Sequence, residues 1–215
     1  MRNARRMRLR YDERRGVLKL TCPARTSRRA ALNWAAGQRE WVDAQIAAAA
    51  DGEPFLPGTI IPLAGEDVTL VWCRDAARTP HLLAGKLVCG GPEPAFPQRV
   101  ERFLKKFALD TLSADTVEFA TSAGVTVRAV SVGDPSSRWG SCTSQARIRY
   151  SWRLILAPPE ARRFVVAHEV AHLVHLNHGP EFRALEAKLF GTGVAAAKAS
   201  LRRVGHRLKG FGRGI

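Results

Sequence analysis

The stretch of this sequence that decides the fold is His168-Glu169-Val170-Ala171-His172, which fits the pattern H-E-x-x-H. Residues four apart lie on one face of a helix, so two imidazoles at this spacing can bind one metal ion. Glu169 lies about 100° around the helix from His168, beside such an ion rather than on it. The pattern therefore predicts a metal site in which Glu169 takes a proton from metal-bound water.

A helix is expected to carry this motif. Ala157-Pro158-Pro159-Glu160 predicts its start, because proline suits the first turn and glutamate favours the positive end of the helix dipole. The apolar pattern predicts that the helix continues to about Leu176. An ordinary core helix is the alternative interpretation, but burying His168, Glu169 and His172 without partners costs several kcal/mol, and a metal removes that cost.

His178 is the predicted third ligand. A catalytic zinc ion takes three protein ligands and keeps a fourth position for water. His178 lies ten residues after His168, so it reaches the same ion only if the helix ends and the chain curls back. Asn177 and Gly179 tolerate left-handed turns, and Pro180 cannot continue a helix.

His175 is the competing ligand, seven residues after His168 on nearly the same face. On a straight helix it would lie about 10 Å along the axis, and such histidines cannot converge on one ion. We therefore predict one zinc ion held by His168, His172 and His178. His175 would line the pocket or hydrogen-bond to a ligand.

Two further runs precede the helix: Ser136-Ser137-Arg138-Trp139-Gly140-Ser141-Cys142, and Arg147 through Pro158. With the two histidine motifs they resemble the YgjP-like zinc metallopeptidases, bacterial relatives of the SprT-like proteases. The resemblance extends over most of the chain, and residues 136–182 are its diagnostic part. It implies a zincin-like metallopeptidase core in which the three histidines bind zinc and Glu169 is the base. Arg183 departs from the family pattern, which commonly has an aromatic residue there.

The fold class predicted is α+β, with an N-terminal β-rich part at residues 1–90 and the metallopeptidase core at residues 91–215, together forming one continuous family unit. Gly90-Gly91-Pro92-Glu93-Pro94 marks the boundary. The core would contain the active-site helix packed on a small antiparallel sheet. Predicted strands cover residues 7–11, 16–21, 59–62, 68–73, 82–88, 125–130 and 147–152, and predicted helices cover residues 27–50, 96–122, 157–176, 181–190 and 194–209.

The segment Arg138-Trp139-Gly140-Ser141-Cys142 has two interpretations. The favoured one is a strand whose Trp139 and Cys142 fill the core. The other is an edge strand beside the zinc, which would pair with an extended peptide. Cys142 as a fourth ligand would close the site and is not predicted. Arg138, Tyr150 and His175 are the candidates for stabilising the transition state, and the sequence does not choose among them.

Composition and charge predict the state of the cysteines, the cellular location and the kind of partner. Four scattered cysteines and the absence of a signal-like segment predict free thiols and a cytoplasmic location, and no apolar run is long enough for a membrane span. The net charge of +15 is concentrated at the two ends, with 12 Lys and Arg among the first 39 residues. Nucleic acid is a possible partner, but no nucleic-acid-binding motif is present and it is not expected.

The predicted function is hydrolysis of peptide bonds by a zinc metalloendopeptidase, with a protein or peptide as substrate. Zinc would polarise the carbonyl, and Glu169 would move the proton from water to the leaving amine. One alternative is a non-enzymatic zinc-stabilised module that binds a protein or nucleic acid, and another is amide cleavage on a small molecule. A structural zinc site has no use for Glu169, which separates the first alternative from an enzyme.

Overall fold

A computed structural model describes residues 4, 6–12, 17–50 and 52–213. Contacts group the chain into two compact units, residues 1–54 with residues 212–215, and residues 55–211. The boundary predicted between residues 90 and 91 is a different division and remains a prediction. Helices and sheets are mixed throughout the described residues, which confirms the α+β class.

The first unit contains the predicted N-terminal strand pair, in antiparallel register from Arg8 opposite Thr21 to Asp12 opposite Val17. The turn predicted between the strands lies mostly outside the described residues. Ser27 caps the following helix by accepting the Ala30 N–H. The single helix predicted to residue 50 is wrong, because Gly37 ends a first helix and a second one follows. The elements are β1 Arg8–Asp12, β2 Val17–Thr21, α1 Arg28–Ala36 and α2 Arg39–Ala50.

The second unit begins with a four-stranded sheet in the order β3-β4-β6-β5, in which only the β4–β6 pair is parallel. The one strand predicted over residues 82–88 is instead a hairpin of two strands. Its turn contains Ala84 at φ 46° and Gly85 at φ 72°, which alternation of side chains does not reveal. The strands are β3 Ile60–Leu63, β4 Glu66–Trp72, β5 His81–Leu83 and β6 Lys86–Cys89.

The long helix α3, Phe96–Ala123, has nearly the predicted bounds. Residues four apart form a stripe that is entirely buried, because they share one face of the helix: Val100, Leu104, Ala108 and Leu112. Gly124 ends the helix at φ 67°, a left-handed conformation that glycine adopts without strain.

A three-stranded sheet follows, in the order β7-β9-β8. The prediction of an antiparallel sheet is wrong in part: β8 pairs antiparallel with β9, but β7 pairs parallel with it. Side-chain alternation is the same in both cases, so the sequence pattern does not give strand direction. The strands are β7 Ala129–Gly133, β8 Gly140–Cys142 and β9 Arg147–Ser151.

Three helices complete the unit after a buried 3-10 segment, Trp152–Leu156. They are α4 Pro159–Ala171, α5 Pro180–Phe190 and α6 Val194–Gly210. The prediction that the motif helix continues to Leu176 is wrong. After Ala171 the N–H groups of Leu173 and Val174 bond to carbonyls only three residues back, and the tightened chain leaves the helix axis.

Ion pairs, one of them buried, hold α4 against α3. Arg162 on α4 donates to Asp115 on α3 at 2.8 Å, and both side chains are about 90% buried. Arg163 contacts the same carboxylate at 3.3 Å and Glu118 at 2.6 Å. Because these pairs fix the start of α4, the histidine end of the helix is positioned by the core.

Two smaller predictions concern the whole chain. The structure gives Cys22, Cys73, Cys89 and Cys142 as free cysteines, as the sequence predicts. Within the described residues, no helix combines the length and apolar character required to cross a membrane.

Candidate metal centre

Three histidines from one helix and the loop after it meet at one point. His168 lies in the last turn of α4, His172 caps that helix, and His178 lies just before α5. Their ligand atoms are all within 4.8 Å of one another, so this group could hold a metal ion. The chain curls back between residues 172 and 178, which is the geometry that a third ligand at this spacing requires.

His168 is oriented by a buried carboxylate. Its Nδ1 lies 2.6 Å from Glu186 Oε1, and Lys198 Nζ lies 3.1 Å from the other oxygen of Glu186. Burial raises the pKa of Glu186, but the hydrogen bonds from His168 and Lys198 outweigh it and lower the pKa overall. An ionised carboxylate accepts only, so Nδ1 carries the proton and Nε2 keeps its lone pair for a metal.

His172 is oriented in the same way by the backbone. Its Nδ1 donates to the carbonyl of His175 at 3.0 Å, which again leaves Nε2 as the free acceptor. Burial is the main cause that lowers the pKa of both His168 and His172. Both rings therefore favour the neutral form, which is the form that binds metal ions.

Phe182, in the first turn of α5, packs against all three histidines. Its ring centroid lies 5.0 Å from that of His168, 4.5 Å from His172 and 4.8 Å from His178. One buried aromatic ring thus packs against all three imidazoles and limits their rotation. Pro180 starts α5 two residues before Phe182 and ends the loop that carries His178.

The spacing of one pair of ring nitrogens fits a tetrahedral ion. Nε2 of His178 lies 3.3 Å from Nε2 of His168. Two ligands bonded at about 2.0–2.1 Å to a tetrahedral zinc ion are separated by about 3.3–3.4 Å. The residues present therefore fit a zinc ion on the chemistry of the donors and on this distance.

Glu169 lies beside the group and is buried, with 5% of its surface exposed. Its Oε2 has no hydrogen-bond partner among the described residues. Burial raises the pKa of Glu169 to about 7, against the opposing positive charge of Arg138. A carboxylate kept from water and from partners is available for proton transfer near neutral pH.

The backbone of β8 passes directly over Glu169. A Cβ atom on Gly140 would lie 2.5 Å from Glu169 Oε1 and 2.7 Å from Cδ. No side chain larger than that of glycine fits at this position unless Glu169 moves. This contact gives the R-W-G-S-C segment a role near the candidate site that spacing alone did not reveal.

A pocket of about 280 Å³ opens between β8, α4 and α6, next to His168 and Glu169. Phe164, Val165 and Leu201 supply apolar walls, and Arg138 and Lys198 supply positive charge. Trp139 and Cys142, predicted to fill the core, are half-buried and pack against it. The segment therefore packs inward and also borders the pocket, while its pairing with an extended peptide stays a prediction.

The side chains of Tyr150 and His175, the other candidates for stabilising the transition state, and of Cys142, considered as a fourth ligand, lie outside the histidine group. Tyr150 is fully buried and hydrogen-bonds to Thr116 Oγ1 at 3.0 Å; burial raises its pKa. The ring of His175 is outside the histidine group, 3.6 Å from Glu181. Cys142 is also outside the group, and its thiol bonds to the Thr143 carbonyl at 3.5 Å.

Two residues that build the site were not predicted from the sequence. Glu186 and Lys198 lie on α5 and α6, and no motif spacing links them to the histidines. The only signal in the sequence concerns Glu186, which lies four residues after Phe182 and therefore on the same face of the helix. That spacing is common in solvent-exposed helices and does not distinguish a buried partner of a ligand.

Comparison with curated proteins gives no match, and comparison with solved structures gives none either. A family model described as YgjP-like, metallopeptidase domain matches residues 5–204. This range includes the histidine group, Glu169 and the β8 strand. Since the match extends over most of the chain, the protein belongs to the YgjP-like metallopeptidase domain family.

Proposed function

We propose that the protein is a zinc-dependent peptidase that hydrolyses peptide bonds, with Glu169 as general base. One observation carries the proposal: a buried carboxylate with an unpartnered oxygen lies beside three histidines whose ligand atoms converge. A purely structural metal site needs the histidines and gains nothing from burying Glu169, which costs free energy. Burying Glu169 beside the three histidines is useful only if its carboxylate takes part in the reaction.

The metal would be held by His168, His172 and His178. Three imidazoles whose ligand atoms lie within 4.8 Å of one another are a donor set that suits zinc, and three protein ligands leave one position open. When bound, zinc would supply Lewis acidity to a substrate carbonyl and would lower the pKa of a water molecule. Glu186 and the His175 carbonyl would keep two of the ligands in the required tautomer.

Proton transfer would take place at Glu169 Oε2. This oxygen would accept a proton from water and later donate it to the leaving amine. In the metal-free chain, burial raises the pKa of Glu169 to about 7, so this carboxyl group holds a proton more readily than an ordinary glutamate. Burial against the Gly140 backbone would keep the carboxylate in place between the two steps.

The substrate would lie along β8 as an added strand. β8 pairs with β9 on one side, and among the described residues no strand pairs with its other side. Trp139 and Thr143 bond toward β9, so by alternation the backbone groups of Gly140 and Cys142 point outward. An extended peptide could bond to them next to Glu169.

Arg138 is the residue we propose to stabilise charge in the transition state. It lines the same pocket as Glu169 and His168, whereas Tyr150 is fully buried and His175 faces Glu181. Its guanidinium can donate to a developing oxyanion without being deprotonated.

The test is cleavage of an unfolded protein by zinc-loaded and metal-free preparations. The zinc-loaded protein should cleave, the chelated protein should not, and added zinc should restore the rate. Full zinc binding with no cleavage of any unfolded protein or peptide in a broad library would contradict the proposal. It would favour a zinc-stabilised binding module instead.

A further inference from the structure

A second pocket, of about 380 Å³, lies between α3 and residues 78–80. None of the histidines of the metal centre lines it. Four of its lining side chains are cations, and none is an acid: Arg78, Arg99, Arg102 and Lys106. The metallopeptidase activity gives no role to this concentration of positive charge.

The cations come from two directions. Arg99, Arg102 and Lys106 follow one another at helical spacing on α3, so they share one face. Arg78 enters from the segment before β5. A Cβ atom on Gly91 would lie 3.0 Å from Arg99 Nη2 and 3.1 Å from Arg78 Cγ. The missing side chain therefore allows two arginines to approach one another.

Two of the four cations are already engaged, but outside the pocket. Arg99 Nη1 donates to the Pro92 carbonyl at 2.9 Å, and Lys106 pairs with Asp110 at 2.7 Å. The side chains of Arg78 and Arg102 form no hydrogen bond or ion pair with any part of the chain that the structure describes. Like charges held close together repel, and a bound anion relieves that repulsion.

An apolar surface completes the pocket. Phe103 lies between Arg102 and Lys106 in the lining, and its ring stacks on that of Phe107 at 5.9 Å. Pro80 is the other apolar lining residue. The volume falls in the range of about 300–1,000 Å³ that is usual for small-molecule sites. Positive charge beside an aromatic face suits a ligand with an anionic group and a planar ring.

We propose that this pocket binds a phosphate ester, with its phosphate at Arg78, Arg99 and Arg102 and its organic part against Phe103. Guanidinium groups bind phosphate oxygens through paired N–H donors, which explains three arginines better than three lysines would. The phosphate could belong to a free nucleotide or to the backbone of a nucleic acid. The proposal does not depend on the peptidase activity, because the two sites share no residue.

The experiment measures binding to the zinc-loaded full chain by calorimetry, with AMP, adenosine and a short fluorescein-labelled deoxythymidine oligonucleotide as probes. AMP should bind at least about tenfold more tightly than adenosine, since charge-assisted hydrogen bonds need the phosphate. Affinity should fall as KCl is raised. An oligonucleotide that binds far more tightly than AMP, with a steep salt dependence, identifies nucleic acid as the source; comparable affinities identify the free nucleotide.

Arg102→Gln should weaken AMP binding about threefold to tenfold, and Arg78→Gln with Arg102→Gln should weaken it further. Both side chains are exposed, so the fold should survive. Arg202→Gln is the matched control, since Arg202 is also an exposed helical arginine and lines neither pocket. Equal AMP affinity in the double variant and the wild type would overturn the proposal. Failure of AMP and the oligonucleotide to bind at low salt would also overturn it.

Discussion

Glu186 and His168 form a contact that connects the candidate metal centre to two further helices. Glu186 Oε1 lies 2.6 Å from His168 Nδ1, and the glutamate is 4% exposed. Glu186 also accepts from Lys198 on α6, so three helices meet at one carboxylate. The position of a candidate ligand on α4 is therefore set by α5 and α6.

Removal of Glu186 should weaken zinc binding although it is not a proposed ligand. Residues that orient a ligand typically contribute roughly 10–100-fold to metal affinity. Glu186→Ala should show the larger loss within that range, and Glu186→Gln a smaller one, because the amide oxygen still accepts from His168. Competition with a chromophoric chelator measures both affinities.

The matched control is Glu181→Gln, on the same helix. Glu181 is 85% exposed at its side chain and does not contact His168, so zinc affinity should stay unchanged. Unchanged affinity in Glu186→Ala would show that His168 keeps its orientation without the carboxylate. That result would contradict an orienting role for Glu186.

The four histidines of the region should separate into two classes. His168→Ala, His172→Ala and His178→Ala should each reduce bound zinc strongly, because each removes one of three converging nitrogens. His175→Ala should largely retain it, because only its backbone carbonyl supports His172. Metal analysis of the dialysed variants measures this. Retention in His178→Ala together with loss in His175→Ala would reverse the assignment.

Gly140→Ala should impair catalysis without removing zinc. The added methyl group needs the space of Glu169 Oε1, so the carboxylate or the strand must shift. A displacement of about 1 Å can cost on the order of 100-fold in rate. Gly37→Ala is the control, because its nearest neighbour would lie at an ordinary 3.5 Å. Turnover and zinc content should be measured on the same preparations, and normal turnover in Gly140→Ala would show that the contact is not needed.

Glu169 should make the stability of the metal-free protein depend on pH. Its pKa is raised from 4.5 to about 7 in the folded protein, so between these values the folded state binds more protons than the unfolded state. Stability from this group therefore falls as the pH rises through that window. The free energy of unfolding of Glu169→Gln minus that of the wild type should grow toward about 3 kcal/mol by pH 8.

Urea unfolding of the chelated proteins at several pH values measures this difference. The depressed pKa values of His168 and His172 affect both proteins equally and cancel in the comparison. A difference that stays constant between pH 5 and pH 8 would show that Glu169 is not held in a desolvated state.

The sequence predicted what depends on local chemistry. The H-E-x-x-H spacing, Pro180 and the buried stripe of α3 each determine structure over a few turns of chain, and the structure agrees with them. The sequence did not predict the helix end at Ala171. There the chain turns so that His172 Nδ1 can donate to the His175 carbonyl, and the spacing of apolar residues does not encode this contact.

The missed features depend on contacts between elements distant in sequence. The parallel pairing of β7 with β9 and the approach of Gly140 to Glu169 follow from how elements pack, and each side-chain pattern allows other partners. Glu186 lies 18 residues from His168 and reaches it only because α5 folds back on α4.

The most direct test of the central claim is the activity of Glu169→Gln at full zinc occupancy. The amide is nearly the same size as the carboxylate but cannot take a proton from water, and general-base catalysis is typically worth roughly 10²–10⁴-fold. We predict unchanged zinc content, an intact fold and cleavage of unfolded protein reduced by at least that factor, with Glu181→Gln as active as the wild type. Cleavage by zinc-loaded Glu169→Gln at the wild-type rate would contradict a general-base role for Glu169.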